Sequence, residues 1–358
     1  MKWNLTSPSE EKLSMNVESK GVVWTSGPIF WARALSVVLV SLTAAGCQSL
    51  CGHKVASHWP DRVFAPYMYL GVGDKFKLTD CDDACGQKFY TLAFIISDKS
   101  NNPAWDGHIP MSQNLYTNQI AAIRTRGGDV IVSFGGEAGK EPALVETNPV
   151  VLQAKYQAVI DQYQFTWLDF DIEGKSLDNV AANERRNTAL AGLQAQNPGL
   201  IISYTLPVDP DGISDHAQQL LADAHAKGVK VHSANVMTMD FGPKFSAGKK
   251  MSDVSIASAL KAHEQCLAID PEIQIGLTPD IGQNDEKSEI FSLEDARALK
   301  DWAVGQPWVC SLSFWCSNRD MYKPAKPGRH HGDWSSGVPQ QPWDFTKIFQ
   351  TFATSAKP

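Results

Sequence analysis

The sequence predicts an α/β protein, a single-domain (β/α)8 TIM barrel, on three observations. Eight short runs rich in β-branched and aromatic residues alternate with longer stretches of helical period. The runs are near-continuously apolar, as parallel strands covered on both faces must be. No run is followed by a G-x-G-x-x-G turn, which removes the main support for an open, doubly wound sheet. A barrel of this kind takes ~250 residues, so the segment 53–358 holds one with long loops.

The elements follow in order. A first strand is expected at Val63–Leu70, with a helix somewhere in Asp74–Lys88. The second strand, Tyr90–Ser97, leads to a helix at Met111–Thr125, and the third, Asp129–Gly135, to one at Pro149–Gln162. The fourth, Thr166–Glu173, precedes a helix at Asn183–Gln196. After the fifth, Leu200–Leu206, a helix at Asp215–Lys227 ends on Lys227-Gly228, a cation and then a glycine, as helix C-termini prefer. The sixth, Ser233–Asp240, leads to Asp253–Ile269. After the seventh, Ile273–Thr278, Ser292 caps a helix at Leu293–Val304 whose first turn carries Glu294 and Asp295. The eighth, Trp308–Trp315, is followed by a helix at Trp343–Thr354. No repeat, linker or low-complexity stretch marks a second domain.

Composition narrows the function. Hydrophobic residues make up 43% and charged residues 20%, enough for a sizeable core. The formal charge is −7 and no Lys/Arg block lies on a helical stretch, so nucleic acid is not an expected partner. The eleven Trp serve the core, and some are candidates to stack on the apolar C–H faces of sugars. The nine His and seven Cys form no HExxH and no paired C-x-x-C motifs, so neither a metal nor a cofactor is expected. Cys81 with Cys85, and Cys310 with Cys316, are close enough in sequence for disulfides in an exported protein, with connectivity open.

Residues 1–52 read as an export segment and tether. The apolar run from Ala34 to Gly46, preceded by Arg33, is shorter than the ~20 residues of a membrane span and suits a signal peptide. Ala44-Ala45-Gly46-Cys47 resembles a bacterial lipoprotein cleavage box, which would place a lipid anchor on Cys47; ordinary cleavage nearby is the alternative. The expected location is secreted, periplasmic or lipid-anchored to a bacterial envelope.

The fourth strand carries the chemistry. Along it Asp169, Asp171 and Glu173 share one face, and Leu168, Phe170 and Ile172 the other. In a barrel the apolar set packs on the helices and the acids face inward, ~7 Å apart at 3.3 Å per residue. Burying an unpaired carboxylate costs several kcal/mol or forces it to protonate, so such a line is useful only where shifted pKa values are needed. Glu173 is last, at the C-terminal mouth where these barrels hold their active sites. A calcium or magnesium site is the alternative, but no further acid or Asn cluster completes a cation shell.

Here the chain resembles glycoside hydrolase family 18. That family's Asp-x-x-Asp-x-Asp-x-Glu signature appears as Thr166-Trp167-Leu168-Asp169-Phe170-Asp171-Ile172-Glu173, with Thr166 in place of the first acid. Its Ser-x-Gly-Gly appears as Ser133-Phe134-Gly135-Gly136, and its sixth-strand motif as Met237-Thr238-Met239-Asp240. Ser313-Phe314-Trp315 is similar to the strand whose Trp floors the sugar pocket. Stretches around Trp105, Leu277-Thr278-Pro279 and Ile281-Gly282-Gln283-Asn284-Asp285 resemble loops of a bacterial chitinase subgroup.

The resemblance implies a chitinase acting on chitin or N-acetylglucosamine oligosaccharides, retaining but without a protein nucleophile. Glu173 would be the general acid, Asp171 would hold the substrate's acetamido N–H, and Asp169 would share a proton with Asp171. Met237, Met239, Asp240, Trp315 and Gly136 would line the sugar site, with Tyr67, Trp105 and Asn284 as further groove residues. Because Met239 replaces a Tyr that holds the acetamido carbonyl, Tyr204 or Asp240 is expected to serve instead. By parity Thr166 faces the helices, so its departure from the signature leaves the site intact. An endo-β-N-acetylglucosaminidase, using the same acids on N-glycans, and a non-catalytic glycan-binding protein are the alternatives.

Overall fold

The computed structural model describes residues 59–70, 77–323 and 332–355. They fall within one compact unit, Lys54–Pro358. The expected export segment, Cys47 included, lies outside the described residues.

Eight parallel strands form the barrel. The first runs in two pieces, Val63–Phe64 and Tyr67–Tyr69, split where Pro66 lacks an N–H for the ladder. The others are Phe89–Ser97, Asp129–Gly135, Trp167–Asp171, Ile201–Asp209, Val231–Met237, Gln274–Thr278 and Val309–Leu312. The two pieces of the first strand close the ring: Val63 pairs with Ser311 of the eighth strand, and Tyr67 with Thr91 of the second. Helices cover the outside, among them Leu78–Cys85, Pro149–Tyr163, Val180–Gln196 and Met251–Ile269.

Three boundaries differ from expectation in one direction. The fourth, sixth and eighth strands end at Asp171, Met237 and Leu312, two or three residues early. Their continuations leave the regular ladder but keep single bonds to the neighbouring strand ends, such as Ile172 N to Thr205 O at 3.0 Å, Thr238 N to Thr278 O at 3.0 Å and Ser313 N to Leu277 O at 2.8 Å, a change that periodicity alone does not register. The helix expected at Met111–Thr125 is a short turn at Met111–Gln113, a left-handed Asn114 (φ 52°) and a helix at Thr117–Thr125. Asn is one of the few residues that enters that conformation cheaply. Pro103–Trp105 adds an unexpected antiparallel strand against the second barrel strand, with Ile95 opposite Trp105.

Alternation sorts the side chains into two layers. Leu92, Val132, Leu168, Phe170, Ile202 and Val236 are fully buried between sheet and helices. Inside the barrel stand small polar residues instead, including Thr91, Ser133, Ser203, Thr205, Ser233 and Asn235. Trp59, packed on Trp167 with ring centres 5.1 Å apart, covers the floor, and its Nε1 donates to Thr166 Oγ1 at 3.0 Å. Thr166 therefore sits at the end of the barrel opposite the mouth. Of the disulfides the sequence left open, Cys81–Cys85 is not formed: on adjacent turns of one helix, the sulfurs are 3.4 Å apart, against ~2.0 Å for a bond.

Candidate active site

The fourth strand raises a ladder of acids through the barrel interior. Register sets Ser133, Asp169 and Ser203 side by side, and Asp171 beside Thr205. Asp169 is 2% exposed and takes hydrogen bonds from Ser133 and Ser203 at 2.7 Å each, Tyr67 at 2.9 Å and Thr205 at 3.0 Å. The polar interior layer thus has a purpose, since a buried carboxylate needs donors on both oxygens. Burial raises the Asp169 pKa, and the four hydroxyls pull it partway back.

Asp171 lies one step higher, buried and hydrogen-bonded to Glu173. Burial first, then the charges of Glu173 and Asp169, hold its pKa well above the carboxylate range. Its Oδ1 has no partner among the described residues. Glu173 follows in extended backbone (φ −139°, ψ 169°) at the start of the short helix Gly174–Leu177. Half-buried, it is pushed up to about 7, first by burial and then by the negative charges of Glu137 and Asp240, while the bond to Asp171 pulls down. Both carboxyls are thus held above the ordinary carboxylate range, and they titrate as a pair.

Two glycines bring the neighbouring strand end against this ladder. A Cβ on Gly135 (φ 104°) would lie 2.1 Å from the Asp171 carbonyl oxygen, and one on Gly136 2.7 Å from the Phe94 ring. Gly136 N donates to that same Asp171 oxygen at 3.0 Å.

Above the acids opens a cleft of about 630 Å³. Four aromatic rings line one side: Trp315 stacks on Phe94 (5.6 Å, 11°), with Tyr67 and Tyr69 at 5.8 and 5.7 Å. Trp315 is held by its main chain, its N–H donating to Pro279 O at 2.9 Å and its carbonyl accepting from Ile281 at 3.0 Å. On the other side Met237, Met239 and Asp240 follow the sixth strand. The loop after the seventh strand fixes them: Asp240 Oδ1 accepts from Glu286 N at 2.6 Å, and buried Glu289 takes the N–H groups of Phe241 and Gly242 at 3.1 and 2.7 Å.

The structure brings Asp171, Glu173, Tyr67, Met237, Met239, Asp240 and Trp315 into one cleft, with Asp169 beneath. Four expected residues are not on its wall. Tyr204 has the parity of Phe170, opposite it in register, so it points to the helices, where it is fully buried and donates to Asn187. Of the two candidates to replace the missing Tyr, only Asp240 reaches the cleft. Trp105 is swept under the extra antiparallel strand, fully buried, and bonds Tyr163 Oη at 3.0 Å. Asn284 is 3% exposed and ties its own loop through the carbonyls of Asp280 and Gly282, with Asp240 N at 3.5 Å. Gly136 is a packing residue under Phe94 rather than a contact surface.

Other cleft residues escaped the sequence. Tyr69 shares the face of Tyr67 two residues on, and that alternation could have found it. Phe94 could not be found so, because the ladder slips between Leu92 and Ile95 and changes its side. Glu137 directly follows Gly136, but its importance comes from the fold that sets its charge near Glu173.

No family model matches the chain. It is 33% identical to the crystallised catalytic domain of a hyperthermophilic chitinase from Pyrococcus furiosus, with a TM-score of 0.74, covering 83% of this chain and 96% of that one. Catalytic-site mutants of active domain 2 of a thermostable chitinase from that organism have been solved with chito-oligosaccharides. It is also 30% identical over 319 residues to the probable bifunctional chitinase/lysozyme of Escherichia coli, and 32% over 280 residues to endochitinase 11 of Metarhizium anisopliae. Those matches cover 82% and 74% of this chain but 35% and 53% of the two relatives. With the barrel, the acid ladder and this extent of identity to a complete catalytic domain, the chain belongs to glycoside hydrolase family 18.

Proposed function

We propose that the chain is a chitinase, hydrolysing β-1,4 links between N-acetylglucosamine units by a retaining, substrate-assisted route. The observation that carries this reading is the hydrogen-bonded Asp171–Glu173 pair at the foot of an aromatic-walled cleft. Retaining enzymes with a protein nucleophile hold their two carboxyls ~5–5.5 Å apart across the sugar ring. A carboxyl bonded directly to the acid is too near for that task, which supports a nucleophile supplied by the substrate.

Protonated Glu173 gives its proton to the glycosidic oxygen as the acetamido carbonyl oxygen attacks the anomeric carbon. The C–O bond breaks, the shortened chain leaves as an alcohol, and an oxazolinium ring remains. Asp171 Oδ1 accepts the acetamido N–H and offsets the charge that develops. Glu173, now a carboxylate, removes a proton from water, which adds to the anomeric carbon and reopens the ring. Asp169 stays fixed by its four hydroxyls and holds charge under Asp171. The aromatic wall supplies stacking faces.

The raised pKa of Glu173 fixes the sign of the pH dependence. The acid step needs the proton, so kcat/KM for an N-acetylglucosamine hexamer falls as pH rises through about 7. Glu137→Gln removes one negative charge that sustains the raised value, so the alkaline limb moves to lower pH. A product chromatogram across pH, with an N-glycan as parallel substrate, reads both points. Release from the N-glycan alone, or an alkaline limb unmoved in the variant, would contradict the assignment.

A further inference from the structure

Two thiols on the outside of the barrel take no part in the cleft. Cys81 and Cys85 stand one turn apart on the helix Leu78–Cys85, and neither lines the space above the acids. Their sulfurs are 3.4 Å apart, and Cys85 Sγ lies 3.1 Å from Cys81 O, so the pair closes over the last turn of the helix. Cys81 is fully buried and Cys85 half-buried. Their shared hydrogen bond lowers the pKa of Cys85 against the effect of burial, with help from the Gln87 N–H, and raises that of buried Cys81. The more exposed thiol is thus the readier thiolate, and a second sulfur is already in contact with it.

Geometry decides what the pair can hold. Cβ atoms one helical turn apart are ~5–6 Å from each other, whereas a disulfide needs ~3.5–4.5 Å, so a direct S–S bond would distort the helix. A single bridging atom asks for no such change. With bonds of ~2.3 Å, the length zinc makes to thiolate, it would subtend about 95° between sulfurs 3.4 Å apart. That is the angle of a pyramidal, three-coordinate centre. A structural zinc ion takes about 109° and four ligands, and no group of three His, Cys, Asp or Glu able to hold a metal gathers among the described residues.

We infer that Cys81 and Cys85 form a chelating site for a trivalent organoarsenical, a soft electrophile with two exchangeable hydroxyls and one fixed carbon substituent. Cys85 displaces the first hydroxyl and Cys81 the second. Two As–S bonds replace two As–O bonds, the thiol protons leave with the hydroxyls as two waters, and arsenic stays trivalent. The second sulfur, already in place, acts at an effective concentration above the roughly mM of a short flexible tether, so the chelate outlasts a single As–S bond.

The test adds one equivalent of phenylarsine oxide, which hydrates to the dihydroxy form, to the reduced and desalted chain. Intact mass should show one adduct, and alkylation followed by peptide mapping should find Cys81 and Cys85 protected together. The adduct should survive ~1 mM glutathione, a monothiol, and leave with the dithiol dithiothreitol. Cys85→Ser changes only the half-buried position and should abolish the glutathione-resistant adduct; Cys81→Ala should do the same. Protection of other thiols instead, such as Cys47 and Cys51 with the same spacing, would overturn the inference. So would loss of the adduct to glutathione, or an equally resistant adduct in Cys85→Ser.

Discussion

Glu173→Gln should lower kcat on N-acetylglucosamine oligomers by about 10³-fold, within the range for removing a general acid–base group. The amide is nearly the same size, so the aromatic wall and the substrate's stacking contacts persist. What disappears is the proton that pushes out the leaving oxygen and the base that later activates water, two steps served by one carboxyl. KM should therefore stay within a few-fold while kcat collapses, the pattern of an interaction made only in the transition state. A second consequence concerns Asp171. With no ionisable neighbour at 173, one of the charges raising its pKa is gone, so it should titrate lower in the variant. NMR titration of the carboxyl carbon would read that shift. A variant with more than a tenth of the original kcat would remove Glu173 from its role.

The largest effect on stability should come from Arg186→Met. Arg186, on the helix Val180–Gln196, is fully buried and bonds Glu141 Oε2 at 2.8 Å and Asn183 Oδ1 at 2.8 Å. Glu141 is itself 2% exposed, takes a hydrogen bond from Tyr156, and caps the short helix Pro142–Val145 through Ala143 N. Removing the guanidinium strands a buried negative charge, a loss of about 3–5 kcal/mol. Replacing both partners, Arg186→Met with Glu141→Leu, should recover most of that, because no charge is left without a partner. Urea midpoints of the three proteins decide it. Glu141 also ends the loop that carries Glu137, so the single variant should disturb the alkaline limb of activity as well. Equal midpoints for the single variant and the parent would show that the pair contributes nothing.

How far the sequence can be read depends on which physical rule acts. Barrel strands and outer helices were legible because a buried parallel strand must be apolar and a helix must repeat near 3.6. The acid ladder was legible for the opposite reason. Three inward acids on one strand make no sense as a core. Tyr204 was misplaced although the same alternation that oriented Asp169 and Asp171 would have turned it outward. Trp105 and Phe94 belong to a different class. One is carried inward by an antiparallel strand, the other is turned by a slip in register, and neither event leaves a trace in composition or period. Asn284 and Glu289 act across loops 44 to 48 residues apart, holding the backbone at Asp240, Phe241 and Gly242. Contacts of that span are made by the fold, so sequence alone could propose the loop but not its task.

The central claim is that the substrate's acetamido group, held by Asp171 and driven by the proton of Glu173, supplies the nucleophile. Proton NMR of the reducing end formed in the first seconds of N-acetylglucosamine hexamer hydrolysis tests it most directly. Two displacements at the anomeric carbon predict that the β anomer appears first and relaxes to the equilibrium mixture. Initial formation of the α anomer would mean a single displacement by water, and would contradict the account.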